Sequence, residues 1–230
     1  MIELDINIIR ISIAVCMLSI ATALDIKNRE IHDGLWIIFG VISAVLLFFE
    51  PNLQQTLLTI GFSLIVAPFV LLMWRFGLFG GADAFGVIVL ASLAPMTTLS
   101  EHTVTPFTIV VNSAILSILP LVGNLIKNLI ALAKKENIFE GFEESALKKI
   151  FAMFIGYRSK NPKYSFSIEQ TIGGEKKLDL RLHNSDKEQF CYTKNTWVTL
   201  GLPYMVFIFG GFLIQLIYGD IFFNIFNILK

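Results

Sequence analysis

The chain has 230 residues, 55% of them hydrophobic and 16% charged, and its 21 phenylalanines and mean hydropathy of +0.70 lie outside the balance of a water-soluble domain. A small soluble enzyme is excluded, and a chain with several membrane spans is the first inference. Basic and acidic residues balance at 18 each, so no net charge points to nucleic acid, which is not expected as a partner.

A spanning helix needs about 20 largely apolar residues. Six stretches are candidates: 6–25, 34–49, 54–76, 82–98, 105–130 and 196–219. The opening "MIELD" is acidic where the first part of a secretion signal is basic, so the first stretch reads as a retained span. Cys16 lies inside it and reads as packing; with Cys191 it makes neither metal spacing nor a disulfide framework. The second stretch is short, and the fourth carries Asp83 at its start and Pro95 near its end. Pro68, Pro120 and Pro203 fall inside spans, where neighbouring helices can satisfy the carbonyls they free.

Between the fifth and sixth stretches, 131–195 is the one sizeable polar piece. In "FEGFEESALKKIFAMFIGY", Phe139, Phe142, Leu147, Ile150, Phe151 and Phe154 fall near one side, which predicts an amphipathic helix. "YSFSIEQTIGGEKKLDLRLH" alternates about a Gly-Gly pair, which predicts a hairpin. The expected fold is an all-α integral membrane protein, a bundle of six transmembrane helices with a small cytoplasmic α+β insert between spans five and six. Residues 1–130 would hold the first five spans, 131–195 the insert, and 196–230 the sixth span and C-terminus.

Cytoplasmic loops collect Lys and Arg. With six spans, the loops at 26–33 and 77–81 share a side with the insert, and with Arg75 and Lys127 that side holds every basic residue except Arg10 and Lys230. Both termini are then expected outside a multi-pass cell-membrane protein, and Asp25 and Asp83 at its cytoplasmic face.

Carboxylates at span edges are costly and are functional candidates by default. Asp220, near the end of the last span on the opposite side, reads as a solvated boundary residue. Asp33, just before "GLWIIFG", is placed to cap the second span, with a supporting role at the site as the alternative. Gly80, Gly81 and Ala82 before Asp83 would let another backbone approach closely, from a neighbouring helix or an extended substrate.

Asp25 alone is weaker, since Lys27 and Arg29 make it resemble an ordinary charged helix end. The pair says more than either member. Of two carboxylates at one membrane face, an ionised one can take a proton from water while a protonated one hydrogen-bonds the scissile carbonyl. Like charges in proximity hold one proton between them. Asp25 would close the first span at its partly negative end and Asp83 would open the fourth at its partly positive end, so Asp25 is the expected acid and Asp83 the expected base.

In the insert, Glu140, Glu143 and Glu144 read either as a solvated face of a small cap or as acids facing a basic ligand. His32, His102 and His183 fall in separate segments with no HExxH pair, and no GxSxG elbow is present, so metalloprotease and serine-hydrolase chemistry are not expected.

Three stretches resemble a known family. "DIKNREIHDGLW" with Asp25, "GGADAFGVIVLASLAP" with Asp83, and "TWVTLGLPYMVFIFGGFL" at 196–213 resemble the archaeal preflagellin peptidases, relatives of the type IV prepilin peptidases among the GxGD membrane aspartyl proteases. The resemblance runs from the first span to the last, with little from the insert. It implies Asp25 and Asp83 as catalytic aspartates, with Gly80-Gly81-Ala82-Asp83 standing for Gly-x-Gly-Asp and Ala82 replacing the second glycine.

The implied substrate is the precursor of an archaellin or pilin. Such a precursor has a short basic leader, a glycine before the cut and a hydrophobic helix in the bilayer. The leader's basic residues would be drawn to the acidic pair, and Glu30 or the insert's glutamates could assist.

Bacterial prepilin peptidases often carry a zinc site with paired CxxC motifs and methylate the new N-terminus. This chain has no CxxC and no glycine-rich nucleotide loop in its insert, so neither metal, cofactor nor methyl transfer is expected. Two other readings stay open. A small proton- or ion-coupled transporter would place its acids near the midplane, and a pilus-assembly scaffold would act through the insert.

Overall fold

The computed structural model of the protein describes residues 5–99, 101–181 and 189–228, the side chains of 226–228 excepted. The helices are α1 (Ile6–Asn28), α2 (Gly34–Leu46), α3 (Leu53–Ser63), α4 (Val66–Arg75), α5 (Gly81–Leu93), α6 (Thr108–Leu116), α7 (Ile118–Ala133), α8 (Ala146–Ile155), α9 (Tyr204–Tyr218) and α10 (Ile221–Ile228). The strands are β1 (Tyr157–Ser159), β2 (Ser165–Ser167), β3 (Glu169–Ile172), β4 (Glu175–Leu178) and β5 (Thr196–Leu200). The chain forms two compact units, one of residues 1–116 with 203–230 and the other of 117–202.

The helix limits follow from local chemistry. The Asp5 carboxylate accepts the Asn7 amide at 2.9 Å and starts α1, which ends where Arg29 turns left-handed (φ 60°) and donates its amide to the Asp25 carbonyl. Pro68 and Pro120 each lack an amide and crowd the carbonyl four residues back. The two helical stretches divide there, α3 giving way to α4 around Leu64 and α6 to α7 after Leu116. α5 stops at Leu93, short of Pro95, because the residue before a proline leaves helical backbone.

Each of the six expected spans has a helical counterpart, but spanning length is reached in three among the described residues. Ile6–Asn28, Leu53–Arg75 and Thr108–Ala133 are long and apolar enough to cross a membrane, whereas Gly34–Phe49, Gly81–Leu93 and Tyr204–Tyr218 are shorter apolar helices. The sixth also starts later than expected. Thr196–Leu200 is strand β5, and α9 begins only after Pro203. The β-branched residues of "TWVTL" favour a pleated strand.

The first unit packs Met17, Leu18 and Ala21 of α1, Val87 and Leu90 of α5, and Met205, Ile208 and Phe212 of α9 into one core. α6 approaches α9 so closely that a Cβ at Gly211 would meet Ser113 Oγ at 2.6 Å and the Ile109 carbonyl at 2.9 Å. Large apolar side chains such as Ile37, Ile38, Phe48 and Leu58 point outward, as in a lipid-facing surface.

Two charged residues depart from expectation here. Asp220 is buried rather than solvated: Thr108 Oγ1 donates to it at 2.9 Å and the Phe223 amide at 3.2 Å, so it starts α10. Arg10, read only as an outlying basic residue, is buried on the Glu50 carboxylate at 2.7 Å and the Leu93 carbonyl at 2.8 Å.

In the second unit, β5 lies between β1 and β2 in an antiparallel sheet, with Tyr157 opposite Val198 and Ser165 opposite Leu200. β3 and β4 form the expected hairpin, turning at Gly173 and Gly174 with φ of 64° and 89°, which a two-residue turn between twisted strands requires. Its last residues and His183 lie outside the described residues, as do 1–4 of "MIELD" and Lys230.

The amphipathic helix starts at Ala146, not near Phe139: Gly141 takes φ 81°, Phe142 bridges to Lys176, and Ser145 caps α8 by accepting the Lys148 amide at 3.3 Å. Trp197 is wholly buried, donates from Nε1 to the Ile138 carbonyl at 2.7 Å and stacks on Phe139 at 4.8 Å.

Candidate active site

Asp25 occupies the last turn of α1, half-buried. Its Oδ2 accepts the backbone amide of Met205 at 3.1 Å, while Thr22 Oγ1, on the same helix, donates to the Met205 carbonyl at 3.3 Å. Met205 is the second residue of α9, and its amide belongs to the first turn, where no intrahelical acceptor exists. Asp25 therefore caps a helix far from it in sequence.

Asp83 occupies the first turn of α5, where its Oδ2 accepts the Gly80 amide at 3.1 Å, the return bond of a capping box. Gly80 has ordinary dihedrals, φ −71° and ψ 155°, so space rather than backbone freedom accounts for it. A Cβ there would lie 2.9 Å from Asp83 Oδ2, and one on Gly81 would lie 3.2 Å from the Trp74 indole. The small residues thus admit Asp83's own carboxylate and a tryptophan ring, where the sequence suggested another backbone. Ala82 packs against the core of the same unit.

Tyr204 and Met205 connect the two aspartate segments. Phe79, buried just before the glycines, places its ring 5.0 Å from that of Tyr204. Gly86, on the turn after Asp83, leaves room for Met205: a Cβ there would fall 2.7 Å from Met205 Cε and 3.0 Å from the Trp36 ring. Sequence reasoning missed this dipeptide. Its only trace is "GLPYM", a proline and an aromatic at a helix start.

The arrangement bears on the expected division of roles. Asp83 sits at the N-terminus of α5, and Asp25, at the C-terminal end of its own helix, meets the N-terminus of α9 as well. The dipole of α9 thus offsets that of α1 at Asp25, which weakens the electrostatic contrast with Asp83.

Asp33 stands at the cap position of α2 but makes no cap bond; the Gly34 amide goes to His32 Nδ1 at 3.1 Å, two residues away and better placed for a tight turn. In the second unit, Glu144 is committed to the Lys148 ammonium at 2.6 Å and the Leu178 amide at 2.9 Å, rather than facing a ligand. The Lys148 bond holds its carboxyl below the usual range, against the opposing effect of burial. Glu140 pairs with Arg158 at 3.7 Å.

Burial opposes charge on Glu169 too, but the Lys176 ammonium at 2.9 Å, the Trp197 amide at 3.1 Å and the Thr196 hydroxyl at 3.0 Å outweigh it and hold that carboxyl low. Among the described residues no three His, Cys, Asp or Glu side chains gather as metal ligands would.

Two family models match the chain. The type IV leader peptidase family matches residues 12–122, and the family described as archaeal peptidase A24 C-terminus, type II, matches residues 137–221. A preflagellin peptidase of Methanocaldococcus jannaschii is 28% identical over 226 aligned residues, which cover 88% of this chain and 91% of that protein. Asp25 and Asp83 both fall in the first match, and β5, Tyr204 and Met205 in the second.

Proposed function

The chain belongs to the type IV leader peptidase family, and from that premise we propose that it is a membrane-embedded aspartyl endopeptidase with Asp25 and Asp83 as its catalytic pair. It removes the short leader from archaellin or pilin-like precursors at the cytoplasmic face. The observation that carries the reading is that aspartates from distant helices converge on one dipeptide, Asp25 through the Met205 amide and the Asp83 turn through Phe79 on Tyr204 and Gly86 against Met205.

The chemistry requires only these carboxylates and a water. The ionised member takes a proton from water, whose oxygen attacks the scissile carbonyl carbon, while the protonated member hydrogen-bonds the carbonyl oxygen and transfers its proton to it. The resulting tetrahedral diol collapses when a proton passes to the leaving amine, which frees the mature N-terminus and the leader carboxylate. The pair holds one proton at the start, and its titration belongs to both members together. Gly80 and Gly81 act as supporting residues by admitting the Asp83 carboxylate and Trp74, and Ala82 by packing on the core. A basic leader is drawn to the acidic site, and the charge asymmetry along the chain supports the cytoplasmic placement.

The test is cleavage of a tagged preflagellin by membranes containing wild type, Asp25→Asn or Asp83→Asn. Each substitution should lower the cleavage rate by about 100-fold or more, the scale of a lost acid–base group. Full activity in either variant would overturn the aspartyl mechanism. Failure of the wild type to cut any archaellin or pilin precursor would overturn leader processing itself.

A further inference from the structure

The second unit carries a helix pair built inside out. Asn124 and Asn128 of α7 are buried, while Ile126, Leu129 and Ile130 of the same helix are exposed. On α8, Leu147 is 70% exposed, Ile150 50%, Phe151 60% and Phe154 36%, and no charged residue interrupts that face. Both lysines of α8 turn back toward their own unit, Lys148 to Glu144 at 2.6 Å and Lys149 over the Phe139 ring at 5.6 Å. A cap standing in water would show the opposite pattern, apolar side chains inward and lysines outward.

The end of α8 is treated as if water were absent. Asn128 Nδ2 donates to the carbonyls of Met153 at 3.0 Å and Gly156 at 2.7 Å, and Asn124 Nδ2 to those of Phe154 at 3.1 Å and Ile155 at 3.2 Å. The Thr199 hydroxyl adds a second bond to Ile155 at 2.9 Å. Carbonyls at a helix end normally turn to solvent, and full satisfaction by protein donors is what hydrocarbon demands. The two asparagines lie about 14 Å and about 8 Å along the helix from its end at Ala133, at a rise of about 1.5 Å per residue, so they reach α8 from within the apolar stretch Thr108–Ala133.

We propose that α8 is an interfacial membrane helix, which sinks Leu147, Ile150, Phe151 and Phe154 into the lipid boundary beside α7 and fixes the second unit to the bilayer without spanning it. This rests on reading Thr108–Ala133 as a span. The occupant of the exposed face is lipid, because α8 packs on α7, whose own Ile126, Leu129 and Ile130 are exposed along the apolar stretch read as a span.

The test uses the full chain in liposomes, with Cys16→Ser and Cys191→Ser and one new cysteine bearing a polarity-sensitive dye. The new position is Leu147→Cys or Phe151→Cys, with Ile130→Cys on α7 as the span control and Glu175→Cys on the hairpin as the aqueous control. Acyl-chain-brominated lipid should quench positions 147, 151 and 130 at least twofold more than 175, and aqueous iodide should do the reverse. Iodide quenching at 147 and 151 equal to that at 175 would overturn the proposal, as would quenching by neither agent, which would show a protein cover such as a second copy of the chain. If 130 were also untouched by lipid, the spanning reading would fall with it; lipid quenching at 130 but not at 147 or 151 would sink the interfacial helix alone.

Discussion

Met205 is wholly buried, and its amide is what orients the Asp25 carboxylate. The space it occupies depends on Gly86, where a Cβ would intrude to 2.7 Å from Met205 Cε and 3.0 Å from Trp36. Gly86→Ala should therefore overpack the site, at about 1–3 kcal/mol, and displace Met205. Misplacement of a reacting group by about 1 Å costs on the order of a hundredfold in rate, so kcat on a tagged precursor should drop by about tenfold or more with little change in KM. Gly40→Ala and Gly61→Ala, where a Cβ would meet nothing within 4 Å, are the controls and should keep full activity. A rise in KM alone would argue that Gly86 serves substrate contact instead. At this scale the two aspartates stood out as candidates, because carboxylates at span edges are costly. The Met205 amide did not, since every residue but proline carries one and only the fold decides which is left without an intrahelical partner.

Among elements, β5 decides how the second unit holds together, and Glu169 on β3 is its clasp, bonded to Thr196, Trp197 and Lys176. Because the Glu169 carboxyl is held below the ordinary glutamate range, its stabilisation is fully present above that range and disappears as pH falls through the lowered value. Glu144, lowered by Lys148 and the Leu178 amide, works in the same direction. Hydrogen exchange of the β5 amides, corrected for intrinsic rates, should thus stay slow at neutral pH and quicken on acidification; Glu169→Gln should quicken it at neutral pH and flatten the pH dependence. An unchanged profile in Glu169→Gln would show that the clasp contributes nothing. The hairpin was legible because Gly173 and Gly174 mark a turn that only residues tolerant of positive φ adopt. β5 was not, since "TWVTL" runs directly into the apolar α9 and a short apolar run has no period that separates strand from helix.

Across the whole molecule, the bias of lysine and arginine predicts that the aspartates lie at the cytoplasmic face. In right-side-out vesicles without native cysteines, a membrane-impermeant thiol reagent should reach Gln54→Cys directly but Lys27→Cys only after permeabilisation; both positions are exposed on the protein. The reverse order would move the aspartates to the outer face. Long apolar runs made the helical segments legible, but Arg10 on Glu50 and Asp220 on Thr108 join residues far apart in the chain, and no local pattern announces such partners. The continuous run from Thr196 to Met205 matters for anyone exchanging inserts between relatives. It is the middle strand of a sheet at one end and, at the other, the helix start whose Met205 amide bonds Asp25. Tyr204 and Met205 open α9, so a graft carried past Pro203 would replace the amide that bonds Asp25. The usable splice point lies upstream of Thr196, which keeps both the strand and the helix start native in any such chimera.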